Sequence, residues 1–238
     1  MALEDRVAII TGGTGQLGRA VTLRFLDEGA SVVVPWHTED GWRALEDELT
    51  DEQARRCLGL RADVTDEEQV KRLVDATVER FAGLDVLLNL VGGFAFGQRV
   101  WETDLAAWDR MMDLNVKSAF LCSKHALRVM RARGRGRIVN VSSKAAVDVQ
   151  PGAAAYAVSK AAVVTLTQAL YEELKGTGIA VNAIMPGVID TAVTRELMPG
   201  ADRGKWVSPE RIAGVLVALC SDEMEAVSGS VVRIFGGV

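Results

Sequence analysis

The chain is poor in the residues that hold metals or form disulfides. Its 238 residues include three cysteines (Cys57, Cys122, Cys220) and two histidines (His37, His125), all far apart. Neither a CxxC nor an HExxH spacing occurs, so no metal site is expected. Sparse, odd-numbered thiols fit a reducing compartment. Positive charge is also in short supply. A net charge of −5 argues against a nucleic-acid partner held by phosphate contacts. The one basic run, RARGRGR (131–137), separates a helix pattern from a strand pattern and reads as a solvated connection. No apolar run approaches the roughly 18 residues of a membrane span. MALEDRVAII enters a strand pattern directly, without the features of a secretory leader. These absences lead to an expectation of a cytoplasmic protein with neither nucleic acid nor membrane as partner.

What is present is a large buriable core, with 49% apolar and 25% charged residues. Short β-branched runs at 6–10, 31–34, 57–62, 85–90, 137–142, 179–184 and 230–235 alternate with helix patterns near 17–28, 39–49, 66–82, 104–132, 153–175 and 209–220. Thr65 with Glu68 offers a capping-box start to the third helix. The strands are continuous apolar runs, so both faces should be covered: an α/β fold with a parallel sheet of seven strands and helices on each side. No linker or repeat interrupts the pattern, and 1–238 reads as one domain. In such a sheet, ligands bind beyond the carboxyl ends of the strands, near the point where strand order reverses.

The segments after those strand ends carry the chemistry. After strand 1 comes Thr11-Gly12-Gly13-Thr14-Gly15-Gln16-Leu17-Gly18 and then a helix. Glycines 13, 15 and 18 satisfy G-x-G-x-x-G, which suits a backbone approaching a pyrophosphate at a helix N-terminus. The bland alternative is a structural glycine turn. Strand 2 ends in Pro35-Trp36-His37 rather than an acid, so nothing there chooses between a ribose hydroxyl and a 2′-phosphate. Asp63-Val64 follows strand 3, where Asp63 serves either a ligand or the next helix as a cap. Asn89 and Gly92 follow strand 4, and Asn115 lies inside a helix pattern, where an amide must be satisfying something. Ser143 follows strand 5. Tyr156 and Lys160 share one helix face at i and i+4. By themselves they are as compatible with amphipathic decoration as with a joint role.

Taken in order, these residues resemble the short-chain dehydrogenase/reductase family, in its short single-domain branch, over essentially the whole chain. The resemblance rests on the glycine turn, Asp63-Val64, Asn89-x-x-Gly92, Asn115, Ser143 thirteen residues before Tyr156, Tyr-x-x-x-Lys160, Pro186-Gly187-Val188-Ile189-Asp190-Thr191 and a terminal Gly236-Gly237. It implies a doubly wound, Rossmann-type domain using NAD(H) or NADP(H) on a small carbonyl or secondary-alcohol substrate. Asn115, Ser143, Tyr156 and Lys160 would be catalytic, with Tyr156 the acid/base. Gly12, Thr14, Gly15, Gln16, Leu17, Gly18, Trp36, His37, Asp63, Val64, Asn89, Gly92, Pro186, Gly187, Ile189 and Thr191 would join Tyr156 and Lys160 around the cofactor. The resemblance also implies a homodimer or homotetramer through the 104–132 and 153–175 helices, where Met111, Met112, Phe120 and Leu121 suit either a core or an interface. The alternative is a non-catalytic NAD(P)-sensing protein.

The chain departs from the family pattern in places. Gln16 stands where that branch has its second glycine, Gly15 comes one position early, and Leu90-Val91 replace the usual Asn-Ala. The segment at about 190–208 is expected to be a short substrate lid. Phe94, Phe96, Met198 and Trp206 are its candidate apolar walls, and Lys144 is either solvent-exposed or a contact for an anionic substrate. A short lid with few converging charges favours a small or apolar ketone.

Overall fold

Successive residues of a strand face opposite sides of a sheet. Here both sides are buried, which explains the unbroken apolar runs. Ala8, Ile10, Val32, Val34 and Leu88 pack on one face beneath helices α1 (Gln16–Asp27) and α9 (Pro209–Cys220). Ile9, Val33, Leu87, Ile138 and Val181 pack on the other, beneath α4 (Glu67–Phe81), α6 (Ser118–Arg133) and α7 (Ala154–Glu173). The protein is represented by a computed structural model that describes residues 1–237. Its seven strands are β1 (Val7–Thr11), β2 (Ser31–Trp36), β3 (Cys57–Arg61), β4 (Val86–Asn89), β5 (Gly136–Val141), β6 (Ile179–Pro186) and β7 (Val231–Ile234). They form one parallel sheet in the order β3-β2-β1-β4-β5-β6-β7. The order reverses between β1 and β4, where Thr11 stands in register with Asn89. This is the doubly wound arrangement expected from the sequence.

Several local expectations are corrected. The 39–49 pattern is a shorter α2 (Glu39–Glu46), followed by a separate α3 (Asp51–Arg56). Thr50 and Gln53 form the capping box that starts α3. Helix α4 is capped by Asp66, whose carboxylate accepts from the Gln69 N–H, rather than by a Thr65–Glu68 box. Thr65 instead gives both its N–H and its hydroxyl to Asp63 Oδ1. That use of its carboxylate rules out Asp63 as the helix cap. The 104–132 pattern is three pieces: α5 (Leu105–Met112), a π-helical turn (Asp113–Lys117) and α6. Helix α8 (Ala192–Leu197) lies in the segment expected to be a lid.

The arginine-rich connection is not merely solvated. Arg133 and Arg135 approach the buried Asp85 Oδ1 at 3.5 and 3.2 Å, and Asp85 Oδ2 accepts from the Val7 N–H. A carboxylate taken out of water needs such partners. The run therefore neutralises an acid at the amino end of the sheet, opposite the carboxyl edge. Met111 and Leu121 belong to the core, whereas Phe120 is half exposed.

Candidate active site

The glycine turn after β1 lies against the turn after β4, and Gly92, Asn115 and Lys160 come together beside the end of β5. The turn after β1 is built around missing side chains. A Cβ on Gly18 would stand 1.9 Å from the Gly12 carbonyl oxygen, so only glycine lets α1 dock there. Gly12 has φ +69° and lies against the backbone of Leu90 and Val91. Thr11, which sequence reasoning passed over, ties the two turns together: its hydroxyl accepts from the Leu90 and Val91 N–H groups and donates to the Leu88 carbonyl. Helix α1 begins at Gly15 with no side chain capping it. Its first N–H groups are thus left to a ligand, and the positive end of the helix favours an anionic one.

The other expected cofactor positions fall into two groups. Gly15, Gln16, His37 and Gly92 are exposed at this edge, and Thr14, Trp36, Gly187, Ile189 and Thr191 are partly so. The Trp36 indole N–H is buried without an acceptor, a group that a bound ligand would satisfy. In contrast, Val64 and the partly buried Leu17 pack their side chains into the core. Asn89 is buried and turned into the sheet, its Nδ2 donating to Asn140 Oδ1 at 2.8 Å and to Ser123 Oγ at 3.3 Å. It joins β4 to β5 and leaves its Oδ1 unpartnered. The Thr191 hydroxyl caps α8 by accepting from the Thr194 N–H. With the uncapped helix and the glycine cradle, these residues fit a dinucleotide.

The floor of the site lies where α7 crosses β5. Lys160 is buried, and its Nζ donates to the Val141 carbonyl at 2.9 Å. The Ser142 hydroxyl, one residue further along β5, donates to the Lys160 carbonyl. Burial brings the Lys160 ammonium down from 10.5 to about 8. Tyr156 stands one turn earlier, with the Lys160 ammonium 6.0 Å from its ring centroid. Burial raises the phenol's pKa, and the neighbouring Ser143 side chain pulls it the other way. Ser143 Oγ also accepts from the Ala145 N–H at 3.2 Å, which holds it at the end of β5.

Asn115 sits in the π turn, which answers why an amide interrupts an apolar helix. Its Oδ1 accepts from the Gly93 N–H, and its Nδ2 donates to the Gly93 carbonyl and to Ser159 Oγ. A Cβ on Gly92 would stand 2.7 Å from Asn115 Oδ1 and 3.0 Å from Lys160 Nζ. Gly92 thus keeps open a small polar space between them.

The mouth of the site is apolar. Phe94 meets Tyr156 edge-on at 5.0 Å between centroids, and Phe96 lies parallel to Phe94 at 6.2 Å. Both are about 60% exposed. The Gly97 N–H donates to the Gly152 carbonyl, latching the loop after β4 to the loop after β5, which carries exposed Val147 and Val149. Met198 is partly exposed, as a wall residue should be. Trp206 is not a wall: it is only 9% exposed. Nor is Lys144 a free cation, since it pairs with Asp148 at 2.9 Å and sits over the Phe235 ring.

Known proteins share both this sequence and this architecture. The short chain dehydrogenase family model matches residues 6–202. A cis-4-hydroxycyclohexanecarboxylate dehydrogenase of Sinomonas cyclohexanicum is 36% identical, over 99% of this chain and 97% of that one. A 3-oxoacyl-(acyl-carrier-protein) reductase of Thermotoga maritima is 34% identical, over 100% and 99%. The crystal structure of a levodione reductase superposes with a TM-score of 0.90 at 30% identity, covering 99% of this chain and 98% of that one. The carboxyl-edge glycine turn, the Tyr156/Lys160 floor and these likenesses lead to one conclusion: the chain belongs to the short-chain dehydrogenase/reductase family and is an NAD(P)-dependent oxidoreductase acting on a carbonyl or CH–OH group.

Proposed function

We propose that the protein interconverts a ring-bearing ketone and its secondary alcohol, with Tyr156 passing the proton at the substrate oxygen. The observation that carries this reading is the convergence of Ser143, Tyr156 and a buried Lys160 under one apolar mouth. The nicotinamide, when bound, supplies or accepts the hydride. The chain's own residues do the rest. Ser143 donates a hydrogen bond to the substrate oxygen and stabilises the charge developing there. Tyr156 gives or takes the proton, and a nearby cation makes its phenolate less costly. At pH 7 an ammonium with a pKa of about 8 is mostly charged, so Lys160 supplies that cation. Lys160 would also hold the ribose of the bound cofactor. Asn115 and the space beside Gly92 hold a water that links Lys160 to solvent.

The ring preference follows from Phe94, exposed beside Tyr156, and from the equally exposed Phe96 beyond it. Two charges on the loops after β5 and β6 are already matched, Lys144 by Asp148 and Asp190 by Arg195. An apolar ring therefore suits this mouth better than a long acyl carrier. One relative is named for a cyclic compound, a hydroxycyclohexanecarboxylate. Residues 190–208 serve as the lid. At its base Asp190 N–H donates to the Val207 carbonyl and Val207 N–H to the Val188 carbonyl. Exposed Leu197 and Met198 lie within it. Two further proposals concern cofactor and assembly. No carboxylate ends β2, so nothing there excludes a 2′-phosphate. Half-exposed Phe120 and Val158, on α6 and α7, form an apolar face for a second copy of the chain.

Four measurements check these readings. In a screen of cyclohexanone-type and aryl ketones followed by NAD(P)H absorbance, Tyr156→Phe should lower kcat by about 10²–10⁴-fold. Its cofactor affinity should change less than about threefold, roughly 0.7 kcal/mol; near-full turnover would remove Tyr156 as the proton donor. Titrations with NADH and NADPH should give dissociation constants within about tenfold of each other, since no paired charge at β2 separates them. A larger gap would mean that another residue reads the ribose. Lys160→Met should be inactive yet more stable at pH 7 by about 3 kcal/mol in denaturant unfolding of the cofactor-free protein. The sign follows from proton binding: between about 8 and 10.5 the unfolded chain holds a proton that the folded chain has released, so wild-type stability rises with pH there. The full cost is present below about 8, and the gain should therefore vanish above 10.5. Light scattering at micromolar concentration should give a dimer or tetramer; a monomer would reject the second-copy face.

A further inference from the structure

Ser159 lies between the two residues of the Tyr156/Lys160 pair and is fully buried. It is easily passed over as one more small residue in an alanine-rich helix. Its hydroxyl has a single proton, and that proton goes to the Tyr156 carbonyl at 2.7 Å. Toward Asn115 it therefore offers only lone pairs. Asn115 Nδ2 donates to it at 3.0 Å and to the Gly93 carbonyl at 3.2 Å. On the other side of the amide, the Gly93 N–H donates to Asn115 Oδ1 at 3.0 Å. Each partner accepts only one orientation. Were the amide to flip, an oxygen would face the Ser159 lone pairs and the Gly93 carbonyl, while an NH₂ would face the Gly93 N–H.

The orientation has a consequence beyond packing. Asn115 Oδ1 borders the space beside Gly92, and Lys160 Nζ borders it from the other side. Lys160 spends one N–H on the Val141 carbonyl, which leaves two protons on an ammonium that borders this space. A carbonyl oxygen on the far side favours the charged ammonium, directly or through a water. An NH₂ group there would repel it.

We propose that Ser159 is a positioning residue that, together with the Gly93 backbone, holds the orientation of the Asn115 amide, so that an oxygen rather than an NH₂ faces the Lys160 ammonium. The proposal rests on the proton-transfer reading above, because its effect reaches the substrate through Lys160 and Tyr156. The direction of the effect is determined. Without the hydroxyl, the amide keeps only its Gly93 contacts and is held less firmly in this orientation, the ammonium loses favourable contact and Lys160 neutralises at lower pH. The phenol then loses part of its neighbouring cation and ionises at higher pH.

The test uses the cofactor-saturated enzyme in the alcohol-oxidation direction, with cyclohexanol as the probe substrate. Ser159→Ala should lower kcat about tenfold and move the rising limb of its pH profile upward by half a unit to one unit. Ser159→Thr, which keeps the hydroxyl, should restore the wild-type limb. In an Asn115→Ala background the Ser159→Ala change should shift the limb no further, the non-additivity expected of residues acting through one another. Loss of rate or melting temperature at an unchanged pH profile would reduce Ser159 to a packing residue and overturn the proposal, as would a full additional shift in the Asn115→Ala background. Should the Asn115→Ala chain fail to fold, the Ser159→Ala and Ser159→Thr pair decides alone. Failure of the underlying reading is separately visible, as turnover that survives Tyr156→Phe.

Discussion

An ammonium group buried at a helix–sheet junction is the constraint from which the rest of the site follows. Lys160 reaches the Val141 carbonyl only because α7 lies across the end of β5, and the Ser142 hydroxyl fastens that crossing from the strand side. Taking a charge out of water is costly unless it is paired and hydrogen-bonded. Here no carboxylate pairs with Lys160 among the described residues; its partners are a backbone carbonyl and the polar space beside Gly92. The Val141 carbonyl takes one of its three protons, and the other two are available to further acceptors. Perturbed groups of this kind cluster at functional sites. Tyr156 is displaced in the opposite sense, its phenol pushed up by burial and pulled down by the Ser143 side chain.

Much of the remaining architecture consists of space kept empty. Gly18 and Gly12 let α1 and the β4 turn approach so closely that side chains would collide with backbone, and Gly92 leaves room between Asn115 and Lys160. Thr11 shows the complementary device: one hydroxyl satisfies three backbone groups and sets two turns at a fixed separation. Polar side chains below the site do similar work. Asn89, Asn140 and Thr167 form a chain of hydrogen bonds from β4 through β5 to α7, so the elements that carry Gly92, Ser143 and Tyr156 are tied beneath as well as around the pocket. Amides and hydroxyls in a core specify one arrangement because any other leaves them unpaired.

The legibility of the fold and of the site differed for physical reasons. The strands were readable because burial on both faces demands apolar residues at every position. The Tyr156/Lys160 face was readable because i and i+4 neighbours are set by helix geometry alone. The π turn at 113–117 was not, since nothing in DLNVK distinguishes an i→i+5 turn from an ordinary one. It exists because Asn115 is drawn to the Gly93 backbone. Thr65 and Asp66 are both good caps, and the choice between them depended on Asp63 claiming the threonine. Trp206 reads as a pocket wall in a lid-like segment, yet it is buried.

Local chemistry written along the chain was therefore enough for the strand and helix alternation, the glycine turn before α1 and the shared helix face of Tyr156 and Lys160. Their periodicities and steric needs act over a few residues. The tertiary structure alone decided which atoms face one another: the Asn115 amide toward Ser159 and Gly93, Asn89 away from the pocket, Asp85 between two arginines, and Phe94 across Tyr156. Those pairings join residues distant in sequence, and no local preference encodes a hydrogen bond whose partner arrives from another strand or helix.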